Sequence, residues 1–395
     1  MSARSIEGRD VATGRTLRIA VEDGVIRNIE EGPPHAESWI APGLVDLQVN
    51  GYGGFDLNDG QVDPDVVFSL TRRLAAAGTT TFLPTLITAP EERIVAALRA
   101  IARARQADPL VARAIPFVHV EGPHISPEDG PRGAHPREYV RAPSLAEFDR
   151  WQMASQNLVG MVTLSPHWEN AAEYIAALVS RGVLVALGHT HATPEQIHAA
   201  GDAGATLSTH LGNGVSPVLP RHPNLLWAQL ADDRLTATFI ADGHHLPADT
   251  LRSMLRAKGM ERSVLVSDSV ALAGMPPGTY HSLIGGAVEL HPDGRLCMAG
   301  SNFLAGAACS LADAVARLAK SSVCATHEAF QMATANPGRF VGGRGVLRPG
   351  AAADLLSFRF EADTSAIRLQ SVLTEGVECL PHEPDAVHRG RSWRS

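Results

Sequence analysis

Eight apolar runs rich in β-branched residues, separated by helical text, dominate the middle of the chain. They are "LVDLQVNG" from Leu44, "TTTFLPTL" from Thr79, "AIPFVHVEG" from Ala114, "LVGMVTLSP" from Leu158, "GVLVALGH" from Gly182, "ATLSTH" from Ala205, "LTATFIADG" from Leu235 and "SVLVSDS" from Ser263. A strand that is apolar along its length needs cover on both faces, which parallel sheets obtain from crossover helices. The intervening segments "PEERIVAALRAIARARQ" and "NAAEYIAALVSRG" carry apolar residues at helical spacing. Eight such units in roughly 230 residues match an α/β fold of the (β/α)8 TIM-barrel type. The competing architecture is a doubly wound open sheet, and no GxGxxG follows the first run to support it.

The flanks read differently. The segment "TLRIAVEDGVIRNIE" alternates polar and apolar residues around Asp23-Gly24, a hairpin turn signal. From about residue 344, "GVLRPGAAADLLSFRF" looks like strand again. The expectation is a small β-sandwich domain built from residues 1–42 and 344–395, beside a barrel spanning 43–343.

Composition narrows the chemistry. The formal charge of −8 gives no footprint for nucleic acid. The first residues lack the apolar core of a signal peptide, and no run of 18 apolar residues suggests a membrane span. Four scattered cysteines without metal-type spacing read as reduced thiols, so the expected location is the cytoplasm. Lysine occurs only at Lys258 and Lys320, both in helical text, which argues against a Schiff-base or carboxylated lysine at a strand end. Seventeen histidines direct attention to imidazole chemistry.

In such barrels chemistry gathers at the C-terminal strand ends. Those ends carry Gln48 and Asn50, then Glu121, His189, His210, the group Asp242, His244 and His245, and Asp268. Taken alone, a strand-end histidine is most often structural, and an aspartate before a helix is most often an N-cap. Together, one carboxylate and two imidazoles from different strands are the ligand set of a catalytic zinc site with an open position. Such a site activates a water, and Asp268 is placed to accept its proton.

These residues resemble the amidohydrolase superfamily, and within it the N-acetylglucosamine-6-phosphate deacetylase family. The likeness runs nearly end to end: "APGLVDLQVNGYGG", "HVEGPHISP", "GHTHAT", "STHLGNG", "FIADGHH", "LVSDS" and "ATANPGRFVG…GVLRPGAAADLLSF" follow the family's order. The resemblance implies that Glu121, His189 and His210 hold the metal and that Asp268 is the general base and then the general acid. It implies a substrate contact for His245 and a role at the acyl group for His135 in "PRGAHP". Arg221 stands where the family places a phosphate-binding arginine donated across a homodimer, and His222 adds a second possible cation. Relatives with His-x-His on the first strand hold two metals. Gln48 and Asn50 are poorer ligands, so one divalent ion is expected, zinc by default and iron, cobalt or manganese as alternatives, with both amides as supports.

The implied reaction is hydrolysis of the acetamido group of N-acetylglucosamine 6-phosphate to amino sugar and acetate. Other N-acyl amino sugars, N-acetylgalactosamine 6-phosphate or an unphosphorylated sugar, remain alternatives, as does a non-catalytic relative. The loop after His210 keeps them open. It reads "NGV" where the family usually has Asn-Ala-Met, and "RHPN" where an acidic residue usually follows the arginine. Asn213 and Gly214 are candidate backbone donors to the phosphate. His124, His191 and His244 are not assigned to the metal, and Trp168 and Trp227 read as packing residues rather than a sugar platform.

Overall fold

The computed structural model describes residues 4–282, 286–360 and 366–379. The tail of the expected terminal domain, 380–395, therefore lies outside the described residues. Eight parallel strands form one sheet: Leu44–Val49, Thr79–Ile87, Val118–Glu121, Val159–Leu164, Leu184–Leu187, Leu207–Ser208, Thr236–Ile240 and Ser263–Val266. They lie side by side in sequence order. A parallel bridge between Val49 and Ser269, with the Asp268 N–H donating to Gln48 O at 3.0 Å, joins the last strand to the first and closes the barrel.

Each of the eight apolar runs contains one of these strands. Alternation sorts their side chains. Val45, Leu47, Leu83, Met161, Ala186, Leu207, Ile240 and Val266 share one cluster that fills the barrel. Val118, Val120, Val162, Val185 and Leu187 instead pack with the surrounding helices. The helix Glu91–Ala107 buries Ile94, Ala97, Leu98, Ile101 and Ala104, and Ala171–Ser180 buries Ala171, Tyr174, Ile175 and Leu178. Both sets follow the spacing seen in the sequence.

The two chain ends meet in a second, seven-stranded sheet. Its order is Val377–Glu378, Ile367–Thr374, Leu355–Phe360, Trp39–Pro42, Arg4–Asp10, Thr16–Glu22, Val25–Glu31. Asp23 and Gly24 both have positive φ, 52° and 76°, as a type I′ turn requires. The outer strand at Val25 bridges Ala352, so the sheet rolls over an apolar filling that includes Ile19, Ile26, Leu355 and Leu373. The two chain ends thus share one seven-stranded sheet, separate from the barrel sheet.

A third element was not set apart in the sequence reading. After the eighth strand the chain forms a small antiparallel sheet, Gly278–Ser282, Gly286–Leu290 and Leu296–Met298. Its core of Leu272, Tyr280, Val288, Leu290 and Leu296 sits at the top of the barrel.

Candidate active site

The strand ends converge on a cavity of about 350 Å3. Glu121 is the last residue of the third strand and is buried. His189 and His210 follow the fifth and sixth strands, and Asp268 follows the eighth. All three have positive φ, 47°, 29° and 48°, although none is glycine. Such conformations cost about 1–3 kcal/mol each and persist where the surroundings over-determine them, typically at functional sites. The sixth strand stops at Ser208, two residues before His210, because the chain turns inward there while the His210 N–H bonds Thr238 Oγ1 at 2.7 Å.

His210 Nε2 lies 3.1 Å from both Glu121 Oε1 and His189 Nε2, and His189 Nε2 is 3.5 Å from the same carboxylate oxygen. His189 Nδ1 is 2.9 Å from the carbonyl oxygen of Pro131. A carbonyl only accepts, so Nδ1 carries a hydrogen, and Nε2 is the nitrogen that faces the cluster. Gln48 Nε2 donates to Glu121 Oε1 at 2.8 Å. Two imidazole nitrogens and a carboxylate oxygen, all buried and facing one point, are a donor set that suits a divalent metal. Burial alone would raise the Glu121 carboxyl, but hydrogen bonds and charge from His189 and His210 hold it well below its ordinary range. His210 is depressed by burial and lifted more strongly by Glu121, to about 9.

Asp268 faces this group. Burial and the nearby Glu121 charge raise its carboxyl to about 6, against the pull of His210, His245 and an Asn50 hydrogen bond. Asn50 Nδ2 donates to Asp268 Oδ1 at 2.8 Å. The two amides of the first strand thus touch the two carboxylates of the site. His135 Nδ1 accepts from the Thr88 N–H at 3.4 Å and lies 2.8 Å from Thr88 Oγ1. This leaves the hydrogen on Nε2, which is 3.9 Å from Glu121 Oε2. Burial, then the neighbouring His189, lowers His135 to about 3, so it stays a neutral donor. His245 lines the cavity with its Nδ1 2.7 Å from Asp242 Oδ2. The other Asp242 oxygen accepts the N–H groups of His244 and His245 at 2.8 and 2.9 Å. Burial opposes this charge, yet the His245 contact lowers Asp242 to about 2.

Asn213 and Gly214 also line the cavity. A Cβ on Gly214 would stand 2.8 Å from His189 Nδ1, and its φ is +58°, so glycine lets the loop lie against the ring. The Asn213 N–H is spent on His210 O at 2.9 Å, which leaves Gly214 as the backbone donor of the pair. Arg221 and His222 are exposed further along the loop, and neither lines the cavity of its own chain.

The remaining candidates lie elsewhere. His124 stacks on Trp151 and packs edge-on against Tyr174. His191 sits 2.6 Å from Ser126 Oγ, and His244 Nε2 is 3.1 Å from Asp293 O. Trp168 Nε1 donates to His124 O at 3.0 Å, and Trp227 is exposed; neither lines the cavity. Sequence reasoning missed Thr88, the Pro131 carbonyl, Asp56 and the apolar wall of Val270, Leu272, Val288, Leu296 and Leu304. A carbonyl contact has no residue-type signature, but Asp56, six residues past Asn50, was within reach.

Known proteins carry the same architecture. A model described as the amidohydrolase family matches residues 39–379. N-acetylgalactosamine-6-phosphate deacetylase of Escherichia coli O157:H7 is 35% identical over 367 residues, covering 91% of this chain and 93% of that protein. The Homo sapiens N-acetylglucosamine-6-phosphate deacetylase is 34% identical over 338 residues, 80% of this chain and 78% of the human one. Among solved structures, a mutant N-acetyl-D-glucosamine-6-phosphate deacetylase of Mycobacterium smegmatis, in complex with N-acetyl-D-glucosamine-6-phosphate, superposes with a TM-score of 0.84 at 29% identity. It covers 96% of this chain and 100% of that one. The chain therefore belongs to the amidohydrolase family, in the N-acetylglucosamine-6-phosphate deacetylase group that its motifs resemble.

Proposed function

We propose that this chain hydrolyses the acetamido group of N-acetylglucosamine 6-phosphate, giving glucosamine 6-phosphate and acetate. The observation that carries this reading is the convergence of Glu121, His189 and His210 at one point, with Asp268 and His135 facing it. Zinc is the ion the donor set suits best, ahead of iron, cobalt and manganese. When bound, the metal supplies a water of lowered pKa and polarises the acyl oxygen. Asp268, steadied on Oδ1 by Asn50, takes the water's proton and returns it to the leaving nitrogen. His135 donates from Nε2 to the acyl oxygen as charge develops there. His245, oriented by Asp242, holds the sugar.

In this reading the phosphate end draws on a neighbouring subunit. No arginine or lysine is among the described residues lining the cavity. Gly214 offers one N–H, and the exposed Arg221, with His222 beside it, suits donation to a neighbouring subunit of a homodimer. The four cysteines are free, which fits a reducing cytoplasm. Among the described residues no helix is long and apolar enough to cross a membrane.

A second reading, the galactosamine epimer as substrate, is favoured by the 35% identity to the Escherichia coli protein and by the unusual "NGV" loop. Acetate release from both 6-phosphates and from free N-acetylglucosamine decides the matter. The expected result is turnover of the glucosamine compound, abolished by a chelator and restored by zinc. No acetate from any compound overturns the deacetylase reading, and equal kcat/KM with and without the phosphate overturns the phosphate. Mixed dimers of Asp268→Asn and Arg221→Ala chains, each inactive alone, regain activity only if Arg221 acts across the interface.

A further inference from the structure

Two carboxylates of the cavity belong to the metal centre and the base. A third, Asp56, has no part in either. It lies in the short antiparallel pair Gly51–Tyr52 and Phe55–Asp56, which hangs from the end of the first barrel strand. Gly51, its partner in that pair, donates to Ser269 O, and Gly54 donates to Ala271 O. The hairpin is thereby pinned to the segment after the eighth strand, and Asp56 lines the cavity together with Ile87, Ala271 and Leu272. Its Oδ1 accepts the Asn58 N–H at 2.8 Å, a bond that fixes the side chain. Asn58 is itself anchored to Thr85 O and the Ile87 N–H at 3.0 and 2.9 Å. The Asp56 carboxylate is half-buried, yet enclosed enough that desolvation raises it to about 6. A fixed carboxylate whose second oxygen has no hydrogen-bond partner among the described residues, lining the cavity near the apolar side chains of Ile87, Ala271 and Leu272, is built to accept hydrogen bonds from hydroxyl groups.

We propose that Asp56 accepts hydrogen bonds from ring hydroxyls of the sugar and so sets which hexosamine this site takes. The proposal rests on the deacetylase reading above and adds to it the residue that recognises the sugar. Asp56→Asn keeps an acceptor for the Asn58 N–H and removes the charge, so the turn is preserved. The test compares wild type and Asp56→Asn on N-acetylglucosamine 6-phosphate, its galactosamine epimer, and the 3-deoxy and 4-deoxy glucosamine analogues. The expected result is a loss of about tenfold or more in kcat/KM on the full sugar, carried mainly by KM, which shrinks to under threefold on the analogue lacking the recognised hydroxyl. The glucosamine-to-galactosamine ratio shifts in the same variant. A penalty of equal size on every analogue, or no penalty, overturns the proposal even though wild type releases acetate. If wild type deacetylates none of the compounds, the underlying reading fails and the proposal falls with it.

Discussion

The two ends of the cavity are built by different means. The proposed metal end consists of residues at or just past strand ends, three of them with side chains fixed from behind, Glu121 by Gln48, His189 by the Pro131 carbonyl and Asp268 by Asn50, and the fourth, His210, held through its backbone N–H on Thr238. Three of its four members sit in left-handed backbone that only a closely packed barrel rim holds in place. The sugar end is made of a glycine-bearing loop, a short hairpin and the apolar face of an inserted sheet. One end is constrained for chemistry, whose barrier responds to small displacements. The other is assembled from loops, which change without disturbing the barrel.

That contrast is tested most severely at Asp268. Asp268→Asn keeps the size of the side chain and an oxygen for Asn50 but cannot take a proton. Turnover should fall by about 10³–10⁴-fold while KM stays within a few-fold, as steady-state kinetics on the metal-loaded variant will show. A drop of under tenfold would remove Asp268 from the role of base. Gln48→Ala acts one step back. Glu121 loses the donor that holds its Oε1, so metal affinity should weaken about 10–100-fold, measured by competition with a chelator. At the sugar end the effects should be smaller and of another kind. Leu304→Ala trims the apolar wall without touching the cluster, so KM should rise about three- to tenfold with kcat within twofold. A kcat collapse in Leu304→Ala would mean that the two ends are not separable.

How much of this was legible follows the same divide. The barrel strands are visible because a buried parallel strand has to be apolar throughout, and polar residues at one end of such runs then stand out. Glu121, His189, His210 and Asp268 could be read in that way. The Asp23-Gly24 hairpin was legible because two consecutive positive φ values demand that pair. The inserted sheet carried the same kind of signal, "AVELHPDGRL", with Leu290 paired to Leu296 around Asp293-Gly294. Its turn was readable, but its position over the cavity depends on tertiary packing that no local pattern encodes. Likewise, Arg221 could be marked as a cation but not placed, since within its own chain it lies away from the cavity.

The rigidity of the metal end also has a stability signature, and the smallest predicted effect probes it. Asp46 is buried in the seam where the barrel closes, 1% exposed, and accepts the Gln48 N–H at 3.2 Å and the Ser267 N–H at 3.2 and 3.3 Å. It thus ties the strand carrying Gln48 to the segment carrying Asp268. Burial drives its carboxyl up to about 7, against the hydrogen bonds from Ser267. In the unfolded chain the same group ionises near 4. Between those values the folded protein holds a proton that the unfolded chain has released, so this group's contribution to stability declines as pH rises from about 4 to about 7, and is level above. Asp46→Asn removes that titration. The Tm of the variant, measured by calorimetry across the window, should therefore fall less steeply with pH than that of wild type, by about 2–4 °C in total. Parallel Tm profiles would mean that Asp46 is ionised in the fold throughout. The seam beneath the metal end would then hold a charge, and its hydrogen bonds to Ser267 and Gln48 would outweigh the desolvation.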